Sequence, residues 1–457
     1  MGNKNRKRYL PTESPIDLEN LSSLSHVLGY TGKISQKELE ANKKLYSPLD
    51  YMGKSGLELY YEKDLKGIKG SKNIEVDALG REKKISSETL AQDGYNLQLS
   101  LDVDLQACAE TAIKKHNTVG RGSLVAIDPR NGQILALVSY PAYNNNDFAQ
   151  GVSQEVYQAL LNNTNRPLFS RAVSGEFPPG STFKPVVALG ALQEKVINDG
   201  TSFLSIGGLN IGQWTFPDWK AGGHGNANVY KAIVESVNTF FYYIGGGFGD
   251  FVGLGADKIK QYAVLFGLGE KSGIDLPGEA TGFVPDPAWK KNTHDEVWYI
   301  GDTYHFAIGQ GDLTVTPLQV ANYTAAIANG GTLYSPKIVK KIFIDKDNVI
   351  LEQGSEVIRK DFIDKNYIEM MRKAMRQTVT DGSARFLKDL PFEAAGKTDT
   401  AQWSSVKANQ AWFAGFAPYN NPEIAITVLI EEGVEGSSTA VPAAKEVLQC
   451  YFNKNGK

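Results

Sequence analysis

Two cysteines and five histidines in 457 residues leave little material for a disulfide framework or a His/Cys metal centre. No stretch of about 18 apolar residues is present, and the opening residues show no signal-peptide pattern. The net charge is -3 with 22% charged residues, which excludes the basic footprint of a nucleic-acid-binding protein. The basic cluster Lys4–Arg8 is short and reads as a solvated terminus. Cys108 and Cys450 read as buried thiols rather than a bridge, and do not fix the redox compartment. His26, His116, His294 and His305 are scattered, none at metal-ligand spacing with another. The glycine run 245–249 lacks the Lys-Ser/Thr of a P-loop, so phosphate binding is not expected there. No internal repeat or long low-complexity run appears. What remains is a chain with room for two or three domains and a large core.

Three short clusters carry chemistry, in the order Ser181-Thr-Phe-Lys184, Ser236-Val-Asn238 and Lys397-Thr398-Asp399. A serine three residues before a lysine puts both on one helix face, where a neutral amine can take the hydroxyl proton during attack on a carbonyl. The pair alone is weak, since chance supplies about one or two in a chain this long. Its context is a Pro/Gly loop, Phe177-Pro-Pro-Gly180, followed by the apolar run Val186-Val-Ala-Leu189. Ser181 is therefore expected to open a helix, where free N–H groups favour an oxyanion. Pro185 removes the N–H that would bond the Ser181 carbonyl, so a distorted first turn is expected. Ser236 and Asn238 sit in a stretch of helical or mixed periodicity, 232–243. Lys397 and Thr398 precede two strand-like runs, 411–418 and 423–430, joined through Tyr419-Asn-Asn-Pro422. A lysine and a threonine on the neighbouring strand offer a charge and a hydroxyl to a carboxylate.

Elsewhere, 97–102 alternates like a strand and 104–115 like a helix. Residues 123–128 and 133–138 form a predicted hairpin through Pro129-Arg-Asn-Gly132. The C-terminal strand pair is expected in the same sheet, covered by a last helix from about Ala440. Residues 1–95 hold small mixed pieces without a large core of their own, and Asp93-Gly94-Tyr95-Asn96 marks a boundary before 96–457.

The ordered set Ser-x-x-Lys, Ser-x-Asn and Lys-Thr resembles the signature of penicillin-binding proteins and serine β-lactamases. Segments 230–243, 266–269, 273–279, 298–303, 307–311 and 316–319 are similar to class B penicillin-binding proteins, in particular their elongation branch. Segments 55–58, 60–62 and 75–81 resemble that family's pedestal, or dimerisation, domain. The resemblance implies an α+β transpeptidase fold, an antiparallel sheet flanked by helices with a helical subdomain, over 96–457, behind a truncated pedestal at 1–95. It implies a D,D-transpeptidase acting on D-Ala-D-Ala stem peptides and acylated by β-lactams, with no cofactor. Ser181 is the implied nucleophile and Lys184 its base, while Ser236 protonates the leaving amine and Asn238 holds the donor amide. Lys397, Thr398 and Thr400 bind the terminal carboxylate, and the backbone N–H groups of Ser181 and Thr400 form the oxyanion hole. Implied partners are a glycan polymerase of the SEDS family and an elongation scaffold. The family's membrane anchor has no counterpart in this sequence, so the expectation is a soluble fragment of a protein on the outer face of the cytoplasmic membrane.

Two departures stand out. Asp399 replaces the family's usual glycine, which admits close backbone approach. Its carboxylate is expected to turn away from the cleft and pair with a cation; otherwise it repels an incoming carboxylate by about 1 to 4 kcal/mol and weakens the site. Some relatives hold zinc before the Ser-x-Asn segment with Asp, His and Cys ligands. Here Asp218 and His224 are present but 202–229 lacks cysteine, and a loop histidine in an ordinary hydrogen bond is preferred to a metal site. A serine β-lactamase-like hydrolase and a weakened scaffold remain the alternatives to a transpeptidase.

Overall fold

The computed structural model describes residues 21–117, 119–149, 151–401 and 409–454. The Lys4–Arg8 cluster lies outside these residues.

The N-terminal region contributes short helices and an exposed hairpin, β1 (Ser71–Val76) with β2 (Glu82–Thr89). β3 (Asn96–Leu99) and helix α1 (Val103–His116) follow as the alternation predicts, and Asp102 caps α1 by accepting from the N–H groups of Asp104 and Leu105. β4 (Gly122–Ile127) and β5 (Ile134–Tyr140) form the predicted hairpin. The helical subdomain includes α2 (Lys184–Gln193), α3 (Val229–Val234), α4 (Asn238–Gly246) and α5 (Pro317–Ala328). β6 (Val339–Phe343) pairs with β3, and α6 (Lys365–Thr380) leads to β8 after the short strand β7 (Val349–Glu352). β8 (Ala395–Ala401), β9 (Gln410–Ala417), β10 (Ile424–Ile430) and α7 (Val441–Lys454) complete the chain.

The central sheet has the order β8-β9-β10-β4-β5, every pair antiparallel. The C-terminal strand pair therefore joins the same sheet as the β4–β5 hairpin, as expected. Because side chains alternate along a strand, each strand feeds two separate cores. Phe413, Ile426, Val428, Leu124 and Val138 pack on one face with α1 and α7. Trp412, Phe416, Leu429, Val125 and Leu137 pack on the other with α2 and α5. Burying one such side chain stabilises the fold by about 1.5–3 kcal/mol.

The cysteine expectation is overturned. Cys108 on α1 and Cys450 on α7 form a disulfide, with Cα atoms 6.6 Å apart. The two helices pack side by side on the sheet, bringing together residues 342 positions apart in the chain. Sequence spacing carries no trace of that juxtaposition.

Among the described residues, the region before residue 96 has no separate large core. Val27, Leu57 and Tyr61 join the same apolar cluster as the helical subdomain. Tyr61 donates its hydroxyl to Asp275 Oδ2 at 2.9 Å, and Asp275 also accepts from the backbone N–H groups of Ile338 and Val339. That buried carboxylate ties the N-terminal region to β6.

Candidate active site

The loop before Ser181 is held from three sides. Phe177 bridges to Val315, Trp412 Nε1 donates to the Pro178 carbonyl at 3.0 Å, and Gly180 N–H donates to Gly309 O at 2.9 Å. Gly180–Phe183 then form a 3-10 turn, and α2 begins only at Lys184. Pro185 explains this local geometry. It cannot donate to Ser181 O, which instead accepts from Lys184 N–H one residue earlier. Ser181 therefore precedes the α-helix on a distorted turn, and the Ser181 and Lys184 side chains are both buried.

Ser236 does not lie within a helix, as a purely helical reading of 232–243 would have it. It occupies the break between α3 and α4 in the left-handed region, φ 56°. A non-glycine residue there costs about 1–3 kcal/mol and marks a conformation held by its surroundings. The break points both oxygens of Ser236 at Lys184, whose Nζ lies 2.9 Å from the carbonyl and 3.3 Å from Oγ. Asn238 Oδ1 accepts from the same amine at 2.6 Å.

β8 supplies the third cluster along the edge of the sheet. Lys397, opposite Ala414, reaches Ser236 Oγ at 3.0 Å and the Thr398 carbonyl at 2.8 Å. Ser236 Oγ in turn donates to Ser181 Oγ at 2.9 Å. One hydroxyl thus receives both lysines and contacts the candidate nucleophile. Lys184 connects to Ser181 through Ser236 rather than by a direct hydrogen bond. Thr398 points to the other side of the strand and hydrogen-bonds Ser383, in the turn after α6, a partner no local pattern announced. The backbone of Thr400 lies opposite Ala411 on β8.

Burial controls the charges. It lowers Lys184 to about 7, helped by the Lys397 charge and opposed by Asp218 and Asp399. Burial likewise lowers Lys397 to about 8, opposed by Asp399. A neutral amine near physiological pH is what general-base work requires.

Asp399 departs from the expected orientation. Instead of turning away to a cation, its Oδ1 accepts the Ser181 backbone N–H at 2.6 Å. β8 sends alternate residues to the same face, so Asp399 shares the cleft side with Lys397. Burial raises its pKa, against the Ser181 N–H and the charges of Lys397 and Lys184.

Asp218 and His224 do come together, with His224 Nε2 3.4 Å from Asp218 Oδ1. Asp218 serves the start of α4, accepting from Asn238 N–H, Thr239 N–H and Thr239 Oγ1. His224 Nδ1 meets Glu235 at 2.7 Å. Among the described residues, no group of three or more His, Cys, Asp or Glu side chains is arranged to hold a metal. Hydrogen bonding to α4 and Glu235 accounts for both residues. The placement of Asp218 beside Lys184 went unread in the sequence, because it depends on the loop folding back.

Residues 122–449 match the family model of the penicillin-binding protein transpeptidase domain, and residues 8–99 match that of the penicillin-binding protein dimerisation domain. The chain is 37% identical to the peptidoglycan D,D-transpeptidase MrdA of Acinetobacter baumannii over 91% of its length, and 34% identical to that of Haemophilus influenzae over 94%. It covers 63% and 68% of those proteins respectively, so it spans about two thirds of the length of these curated relatives. Penicillin-binding protein 2 of Helicobacter pylori, solved in a complex with MreC, superposes with a TM-score of 0.84 at 34% identity, covering 95% of this chain and 78% of that one. Penicillin-binding protein 2 of Pseudomonas aeruginosa in complex with WCK 5153 gives 0.81 at 32% identity, covering 94% and 89%. With its serine, two lysines and strand edge in one buried cluster, and with matches to both domains, the chain belongs to the penicillin-binding proteins.

Proposed function

We propose that this chain is the catalytic portion of a peptidoglycan D,D-transpeptidase of cell-wall elongation, working through an acyl-enzyme on Ser181. The observation that carries the reading is the hydroxyl of Ser236, which contacts Ser181 Oγ and receives both buried lysines. Ser181 Oγ attacks the carbonyl of the D-Ala-D-Ala bond. With the two hydroxyls reversed, the Ser181 proton passes through Ser236 to the neutral amine of Lys184. Ser236 then returns a proton to the leaving D-Ala nitrogen, and Lys397 holds that hydroxyl in place and offers charge to the substrate carboxylate. Asn238 binds the donor amide, and the backbone of β8 from Thr398 to Thr400 lines the strand edge where the donor lies. The backbone N–H groups of Ser181 and Thr400 supply the oxyanion site, about 3 kcal/mol per donor. An amine from a second stem completes the crosslink. A β-lactam follows the same first step and stops at the acyl stage.

The disulfide supports an oxidising location on the outer side of the cytoplasmic membrane. No helix among the described residues is long and apolar enough to cross a membrane, and anchoring through a further segment is part of the same reading. The complex formed by the H. pylori relative with MreC supports an elongation scaffold as partner, and a second structural relative, from a peptidoglycan synthase complex, supports a glycan polymerase of the SEDS family.

Intact-protein mass spectrometry with penicillin tests the proposal. The expected result is one stable adduct on Ser181, absent in Ser181→Ala. Rapid loss of the adduct with release of hydrolysed drug would favour a β-lactamase-like hydrolase, and no adduct at all a weakened scaffold.

A further inference from the structure

Asp399 is a charged group at the centre of the site to which the proposed reaction gives no part. Its position is built rather than incidental. β8 fixes its backbone opposite Trp412, and the side chain reaches across to the 3-10 turn that carries Ser181. Gly180 makes room, with φ 52°; a Cβ at that position would fall 1.8 Å from Asp399 Oδ2. Any side chain at 180 would therefore evict the carboxylate. Asp399 is 9% exposed, and Oδ2 is buried without a hydrogen-bond partner. The buried carboxyl group is thus held by the Ser181 amide at 2.6 Å, with the amines of Lys397 and Lys184 nearby.

A backbone N–H points in only one direction, and that of Ser181 already has a carboxyl oxygen as its acceptor. We propose that Asp399 is a built-in occupant of the oxyanion site, a carboxylate that must leave the Ser181 amide before an acyl donor can use it. The proposal rests on the acyl-transfer reading given above. In the step concerned, the Ser181 Oγ–carbonyl carbon bond forms and the carbonyl π pair moves onto oxygen. Collapse then breaks the C–N bond, and the serine proton ends on the departing nitrogen. The anionic oxygen in the middle of that sequence needs the donor that Asp399 holds.

Removing the carboxylate acts on the lysines as well. The charged groups around Asp399 are Lys397 on its own strand and Lys184 on α2, with the Tyr323 hydroxyl facing it from α5. Around Lys184 they are Lys397, Asp218 and Asp399. Loss of the Asp399 charge disfavours the protonated form of Lys184, so the acid limb of the acylation profile moves to lower pH.

The test compares the full chain with its Asp399→Gly and Asp399→Asn variants. It measures the second-order rate of acylation by a fluorescent penicillin and the affinity for a boronic acid whose tetrahedral adduct on Ser181 places an anionic oxygen at the amide. The Gly variant should be acylated at least about tenfold faster and bind the boronic acid correspondingly tighter, given that one oxyanion donor is worth about 10²- to 10³-fold. The Asn variant should fall between, because its amide oxygen still accepts from Ser181 without the charge. A folded Gly variant acylated at or below the parent rate overturns the proposal while leaving the acyl-transfer reading in place. Should Gly fail to fold, an Asn variant with unchanged rate and boronic-acid affinity overturns it equally. Absence of a Ser181 adduct in all three chains sinks both ideas together.

Discussion

The two faces of the central sheet are built from the same five strands yet hold opposite kinds of interior. The face under α1 and α7 is mainly apolar, with Phe413, Ile426, Val428, Leu124 and Val138 interleaved and a disulfide joining its two covering helices. The opposite face carries Ser123, Ser139, Thr427, Lys397 and Asp399 beside its Trp412 and Leu429. One-residue alternation is all that separates them. The dry side can be stable because nothing on it must react. The cleft side keeps two buried lysines and a buried carboxyl group, each costly to desolvate; under the proposed reaction the lysines are there because it needs amines that are neutral near pH 7.

If this division of labour is correct, damage on each face should be read out differently. The largest effect expected is from Lys184→Met, which should slow acylation by about 10²- to 10⁴-fold, the range of a lost general base. Its melting temperature should fall only modestly, since methionine relieves the burial of the amine but leaves Ser236 O and Asn238 Oδ1 without their donor, at a cost of about 1–3 kcal/mol. A matching loss of stability would blur the two faces into one. Next comes the dry side. Cys108→Ser with Cys450→Ser should lower stability by about 2–5 kcal/mol, measured by denaturant unfolding, while the acylation rate of the folded protein stays put. A large drop in rate would show that the staple reaches the cleft.

Smaller, and sharper, is the pH profile. Burial holds Lys184 at about 7, and only its neutral form accepts a proton, so acylation should rise through pH 7 and level off above it. Asp218→Asn removes a charge that favours the ammonium form, so the rise should move to lower pH. The same change weakens the bonds at the start of α4, at a cost of about 0.5–2 kcal/mol. An acid limb that stays fixed would remove Asp218 from the electrostatics of the site.

What could be read in the sequence was whatever is encoded locally. The strand-like runs 123–128 and 133–138 with the Pro129-Arg-Asn-Gly132 turn gave the hairpin, and the apolar run after Pro185 gave α2 with its distorted first turn. The three clusters marked the site because residue type and order carry the chemistry. Hidden were the features set by long-range packing. The Cys108–Cys450 bridge joins distant helices, Thr398 finds Ser383 across a turn, and Asp399 faces Ser181 because β8 runs beside the 3-10 turn. The break at Ser236 was also concealed, since Ala232–Tyr243 reads smoothly as apolar helix until the left-handed residue interrupts it.

That interruption makes position 236 a natural place to part shape from reactivity. Glycine tolerates a positive φ without strain, so Ser236→Gly preserves the path of the main chain, including the carbonyl on which Lys184 rests, while removing Cβ and the hydroxyl together. Alanine deletes the oxygen alone and keeps the Cβ that makes a left-handed turn costly. The loss the two substitutions share would measure the single shared atom, and the gap between them the strain stored in one bent peptide.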